Sequence, residues 1–168
     1  MIVANPRAAL LALAAAATVL AAGGVRADPH QIKQGDITVS SRMVRTSFGN
    51  APNSAAYMVI SNSGATPDRL VSARCACAVS VGIHETEDMA GMSTMKSAGP
   101  IVIPAHGQVI FRPGGLHLML THLKEPLAEG GEQDITLVFQ RAGTMRVGFH
   151  IRAQIPAAPM PPMPGMGH

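Results

Sequence analysis

Tryptophan is absent from the chain, tyrosine occurs once, at Tyr57, and phenylalanine four times. Cysteine is confined to Cys75 and Cys77, and charged residues make up only 14% of the 168 positions. No cysteine follows the apolar stretch near the N-terminus, so a lipid anchor is not expected there. No Arg-Arg pair is present in that region either, which argues against twin-arginine export. The apolar stretch falls short of about 20 strongly apolar residues, so a membrane-spanning anchor is not expected. The helical rhythm of β-α-β units is also missing, which argues against an α/β fold.

What stands at the N-terminus is MIVANPRAALLALAAAATVLAAGGVRA. Arg7, an apolar run from Ala8 to Ala22 and the small residues Val25 and Ala27 read as a secretory signal, residues 1–27, cut after Ala27. The mature protein is then expected in the periplasm of a Gram-negative bacterium, soluble and monomeric, with no stable membrane insertion. Arg7 and Arg26 leave with the signal, so 11 of the 13 basic residues remain against 10 acidic ones. That balance points to neither nucleic acid nor anionic membrane as a partner. The remaining 141 of the 168 residues suffice for one domain with a hydrophobic core. The expected organisation is a flexible segment at 28–35, one folded domain at 36–154 and a disordered Pro/Met-rich tail at 155–168.

Within that domain the pattern is one of strands. Segments 36–44, 54–62, 69–73, 77–84, 107–112, 116–121, 134–140 and 144–152 are short, rich in β-branched residues and often alternating. Asn-Ser-Gly, Gly-Pro, Pro-Gly-Gly, Glu-Gly-Gly and Ala-Gly punctuate them. Such spacing predicts an all-β, mainly antiparallel β-sandwich. In 77–84 the alternation places Cys77, Val79, Val81 and Ile83 on the core side and turns His84 the other way.

Against the few aromatics, 11 methionines stand out. Methionine is often an adaptable core filler. Met89, Met92 and Met95, however, crowd a polar segment containing Gly91, and Met160, Met163 and Met166 lie in a proline-rich tail. His84 and Met95, with ten residues between them, are followed after twenty-one more by His117-Leu-Met119. Two imidazoles and two thioethers form a soft donor set that suits Cu(I) and competes poorly for Zn, Mg, Ca or Mn. On a strand, His117 and Met119 share a face and can reach one ion together. A lone His is more often a structural residue than a ligand. His106 reads as a turn residue, His150 as sheet surface, His122 as facing away, and Met89 and Met92 as loop residues beside the donor set.

The spacing H-x10-M-x21-H-x-M, met by His84, Met95, His117 and Met119, resembles the motif of the periplasmic copper chaperone family PCu(A)C. The phrases IHETEDMAGMSTM, PGGLHLMLTHLKEPLAEGG and ITLVFQRAG carry the resemblance further, over about Asp36 to Arg152. The resemblance implies a cupredoxin-like Greek-key sandwich that binds Cu(I) at those four residues. It also implies copper supply for assembly of respiratory copper oxidases such as cytochrome c oxidase. Its partner would be a copper-accepting oxidase subunit or a thioredoxin-like metallochaperone.

Copper storage or detoxification would use the same site. A blue-copper electron carrier needs a Cys thiolate in the site, and neither Cys lies between the two His. An enzyme needs acid-base groups beside the metal, and Glu85, Glu87 and Asp88 read as a solvated loop instead. Cys75-Ala-Cys77 departs from the family pattern and admits three readings: buried small residues, a disulfide, or a soft dithiol. A bridge there requires a tight, non-extended backbone. Met160, Met163, Met166 and His168 repeat the donor types on the tail, and are expected to form a weaker secondary arm for a second Cu(I) or Cu(II) ion.

Overall fold

The computed structural model describes residues 31–47, 51–89 and 92–155. The signal 1–27 and the tail donors Met160, Met163, Met166 and His168 lie outside the described residues. Eleven strands follow in chain order: β1 Ile32–Gln34, β2 Ile37–Arg45, β3 Asn53–Asn62, β4 Asp68–Arg74, β5 Ala78–Met89, β6 Met92–Ser97, β7 Ile101–Ile103, β8 Gly107–Phe111, β9 Leu116–Leu123, β10 Glu132–Phe139 and β11 Gly143–Arg152. Hydrogen bonding runs in the order β6-β5-β9-β3-β2-β11-β10-β4-β7, with β1 added to β2 and β8 to β3. All pairings are antiparallel except β2 with β11, which run parallel through Met43, Val44 and Arg45 beside His150, Ile151 and Arg152.

This long sheet folds back on itself, because both of its halves supply one core. Val39, Ile60, Leu118 and Leu120 from one half and Leu70, Ile135, Leu137, Val147 and Phe149 from the other are fully buried in it. Each large aliphatic or aromatic side chain so buried contributes about 1.5–3 kcal/mol relative to exposure. The all-β sandwich expected from the alternation is the architecture found.

Local devices shape the strands. In β2, Ile37 and Val39 point inward, but the inward set then becomes Arg42 and Val44. The switch occurs where the register to β3 slips between Ser40 and Met43 and Ser41 adopts φ 49°. This is a β-bulge, which inserts a residue and bends the strand. At the start of the domain, Gly35 with φ 58° closes a tight turn, so residues 32–34 form β1 instead of the flexible segment expected there. Ile32 packs against the core and anchors it.

Close to this Gly35 turn, Asp68 is buried and accepts hydrogen bonds from the backbone N–H groups of Arg69, Arg141 and Ala142 at 2.7, 2.8 and 2.9 Å. It ties the start of β4 to the β10–β11 turn. Burial pushes its carboxyl up, but the N–H donors of Ala142, Arg141 and Arg69, with the Arg141 charge, outweigh that and hold it below its ordinary value.

Cys75 and Cys77 are joined by a disulfide and occupy the turn between β4 and β5. The tight backbone that such a bridge requires is supplied by this turn, with Ala78 N–H donating to Cys75 O at 3.4 Å. The turn also changes the alternation expected for 77–84. Cys77 and Ile83 are buried, whereas Val79 is 71% exposed.

Candidate metal centre

Strands β6, β5 and β9 lie side by side and carry the four expected donors. His84 of β5 stands opposite His117 of β9, and Met119 stands opposite Gly82, two residues before His84. On the other flank Met95 of β6 stands opposite Thr86, two residues after His84. Partners across an antiparallel pair share a face, as do residues two apart on a strand. Gly82, His84 and Thr86, His117 and Met119, and Met95 therefore all belong to one face. It is the face opposite Ile83, Leu118 and Leu120, which enter the core. Met119 and Met95 are diagonal neighbours of His84 on its two sides, and diagonal neighbours lie within reach of long side chains. The rings of His84 and His117 have centroids 6.0 Å apart and are inclined at 38°.

Burial grades across this face. His117 is buried, His84 and Met119 are partly buried, and Met95 is 48% exposed. The innermost donor is also the most tightly oriented. His117 Nδ1 lies 2.9 Å from the Gly115 carbonyl oxygen, which can only accept, so Nδ1 carries the proton and Nε2 is left with its lone pair. A hydrogen bond on the far nitrogen is the usual way of orienting an imidazole ligand. The same carbonyl accepts from Thr86 N–H at 3.2 Å, which ties the turn before β9 to β5. That turn is Pro113-Gly114-Gly115. Gly114 has φ 72°, and Gly115 N–H returns to Arg112 O at 3.1 Å.

Two glycines take part that the sequence analysis did not single out. A Cβ on Gly82 would sit 2.7 Å from His84 Nε2 and 3.0 Å from its Cδ2. The His84 ring therefore leans over Gly82, toward the position where Met119 faces that glycine, and can do so only because no side chain stands there. Gly115 supplies the carbonyl that sets His117. The signal was present in the chain: Gly82-Ile-His84 and Gly115-Leu-His117 repeat one pattern, a glycine two residues before each imidazole. On its other flank Met119 faces Ala55 of β3, so small residues border the thioether on both sides.

Two carboxylates near His84 in sequence, Glu85 and Glu87, do not join this face. Glu85 and Glu87 alternate to the opposite side of β5, and Glu87 forms an ion pair with Lys96 of β6. They stand on a strand, where a loop was expected. His106 occupies a turn at φ 52°, as expected, and His122 is exposed. Met92, expected in a loop, is on β6 and 73% exposed. Among the described residues no group of three or more His, Cys, Asp or Glu could hold a metal ion, and the soft donor atoms that share the face of His84 and His117 are the thioethers of Met95 and Met119.

The open, cupredoxin-like β-sandwich places the protein in the class of PCuAC-type domains. The family model described as "Putative lipoprotein LpqE-like" matches residues 37–151, and the chain belongs to this LpqE-like family. "Putative lipoprotein Lxx21020" of Leifsonia xyli subsp. xyli is 30% identical over 130 residues, which cover 77% of this chain and 73% of that relative. Among solved structures, the copper-bound PCuAC domain from PmoF2 is 26% identical with a TM-score of 0.64, covering 74% of this chain and 99% of that domain. The apo PCuAC domain from PmoF1 is 27% identical with a TM-score of 0.65, covering 74% and 100%. The Cu(I) form of DR1885 from Deinococcus radiodurans is 28% identical with a TM-score of 0.55, covering 79% and 85%. The resemblance read from the motif thus extends to the fold.

Proposed function

We propose that the protein is an extracytoplasmic Cu(I)-binding metallochaperone whose cargo sits on His84, Met95, His117 and Met119, and that it hands copper on for assembly of respiratory copper oxidases. The observation that carries this reading is the strand register, which brings donors from four separate sequence positions onto one face of three adjacent strands. The copper-bound PmoF2 domain and the Cu(I) form of DR1885 support the choice of metal. The lipoprotein description of the family supports a place at the cell envelope.

The ligand chemistry suits carriage. With no thiolate among the donors, Cu(I) is held by neutral groups, and an acceptor with thiolates can displace them one at a time. The exposure gradient sets an order for that exchange. Met95, the most exposed, leaves first, and His117, buried and fixed by Gly115, leaves last. Binding and release require no bond-making on a substrate, in keeping with a non-enzyme.

The test is a Cu(I) titration against a competing chelator, with a His117→Ala/Met119→Ala double variant beside the parent protein. One tightly bound ion that the double variant loses is the expected result. Tight binding that survives in the double variant would overturn the ligand assignment.

A further inference from the structure

The Cys75–Cys77 bridge has no part in the copper reading, and its position rules it out as a direct extension of that site. Cys77 immediately precedes β5 and His84 lies seven residues further on, so the two are separated by roughly 23 Å at about 3.3 Å per strand residue. Nor does the bridge have much to do as a staple. It spans a single intervening residue, Ala76. The chain entropy that a disulfide removes from the unfolded state grows with loop length and is near its smallest here.

Its surroundings suit a reactive bridge. Cys75 is partly exposed whereas Cys77 is buried, so one sulfur is open to attack and the other is not. Cys75 lines a cleft of about 460 Å³ with Ala73, Ala78, Val79 and Val81 and the two cations Arg74 and Lys124. Among the described residues neither cation has a carboxylate partner. Val79, 71% exposed, adds an uncovered apolar residue to this wall. Both redox states are provided for at Cys75. Its sulfur accepts from Cys77 N–H at 3.2 Å, and it lies 3.4 Å from the Asp134 carbonyl oxygen, which a Cys75 thiol would use as acceptor.

From this geometry we infer that Cys75–Cys77 is a thiol–disulfide exchange site that takes an electron pair from a protein dithiol docked in the Arg74–Lys124 cleft. A partner thiolate attacks Cys75 Sγ. The S–S bond breaks, Cys77 leaves as thiolate and takes up a proton, and a mixed disulfide joins the partner to Cys75. The partner's second thiolate then attacks its own bridged sulfur and releases Cys75 as thiolate, which is protonated in turn. The partner dithiol has become a disulfide, and two electrons and two protons now reside on Cys75 and Cys77. Arg74 and Lys124 draw in the attacking thiolate and favour release of the Cys75 thiolate, because nearby cations stabilise thiolates and good leaving thiols depart faster. This inference is independent of copper at the His-Met face.

The test treats the native protein with reduced glutathione and, separately, with a thioredoxin lacking its resolving cysteine, then acid-quenches, alkylates and maps the adducts. Adduct formation on Cys75, at least tenfold faster than global unfolding and faster with the thioredoxin than with glutathione at equal thiolate concentration, is expected. A double Arg74→Gln/Lys124→Gln variant should slow the reaction severalfold and blunt its salt dependence without moving the thermal midpoint. The fully reduced protein should keep its fold and its Cu(I) stoichiometry at the His-Met face. Four results would overturn the inference: reduction only at the rate of unfolding, adducts on Cys77, loss of the fold on reduction, or a faster reaction with glutathione.

Discussion

Gly82 decides where the His84 imidazole rests, and it does so by what it lacks. A methyl group there would meet Nε2 at 2.7 Å, well inside contact distance, and the ring would have to rotate away from Met119. Gly82→Ala is therefore expected to leave the fold in place, since the residue is on the outer face of β5, while weakening Cu(I). The expected loss is about 10–100-fold in affinity, the range seen when the orientation of a metal ligand is disturbed. Chelator competition measures it, and circular dichroism confirms the fold. An unchanged affinity would mean that Nε2 of His84 does not reach the ion from its place over Gly82. Cys75 shows the reverse case, since its partly exposed side chain matters for what it adds beside two cations and not for what it leaves open.

At the scale of elements, the strands that could be read from the sequence were those with one face in the core. β2, β3, β9, β10 and β11 alternate buried and exposed residues, and their expected ranges fall within two residues of the observed ones. β6 could not be read, because all six of its residues are exposed and Met-Ser-Thr-Met-Lys-Ser has no apolar alternation to detect. The same applies to the outer part of β5 around Glu85 and Glu87, which pairs with it. Their ladder is a backbone fact that leaves no period in the side chains. The start of β5 departs from the alternation for a different reason: Cys-Ala-Val-Ser-Val alternates as a strand would, but Cys77 belongs to the bridged turn and Ala78, not Val79, is the buried residue where the strand begins. The parallel pairing of β2 with β11 has no local signal at all. The His-Met face, by contrast, was readable because His117 and Met119 obey the strand period and the longer spacings match a known motif.

Asp68 carries a prediction at this same scale, since it clamps β4 to the turn between β10 and β11. Asp68→Asn keeps one acceptor oxygen but sets an amide NH2 against the Arg141 or Ala142 N–H. A loss of about 1–3 kcal/mol is expected at neutral pH, the usual cost of leaving a buried hydrogen-bonding group without its partner. Because the folded-state carboxyl titrates below its ordinary value of 3.8, its stabilisation is complete above that value and is lost as pH falls through the lower folded value. The difference between parent and variant, measured by urea unfolding, should therefore narrow only below about pH 4. A difference constant from pH 7 into that range would show that the ionised carboxylate is not what holds the clamp.

Considered as a whole molecule, the protein has a His-Met face at one flank of the sheet and a C-terminal segment with further soft donors. Delivery and storage differ in what these do together. A store gains by holding more copper and releasing it poorly, whereas a chaperone holds one ion on neutral donors that a dithiol acceptor can outcompete. Met160, Met163, Met166 and His168 repeat the donor types of the His-Met face in a proline-rich sequence, and are expected to take a second, weaker copper ion. Deleting residues 156–168 is therefore expected to remove a weaker second copper equivalent and leave the tight one intact, since the last described strand, β11, ends at Arg152. Given a twofold excess of a dithiol acceptor, both forms should surrender the tight ion, with equilibrium stoichiometry read by metal analysis after separation. Copper that stays on the full-length protein but leaves the truncated one would make the tail a retention device and turn the reading toward storage. Copper that leaves both equally would place delivery wholly in the His84, Met95, His117 and Met119 face.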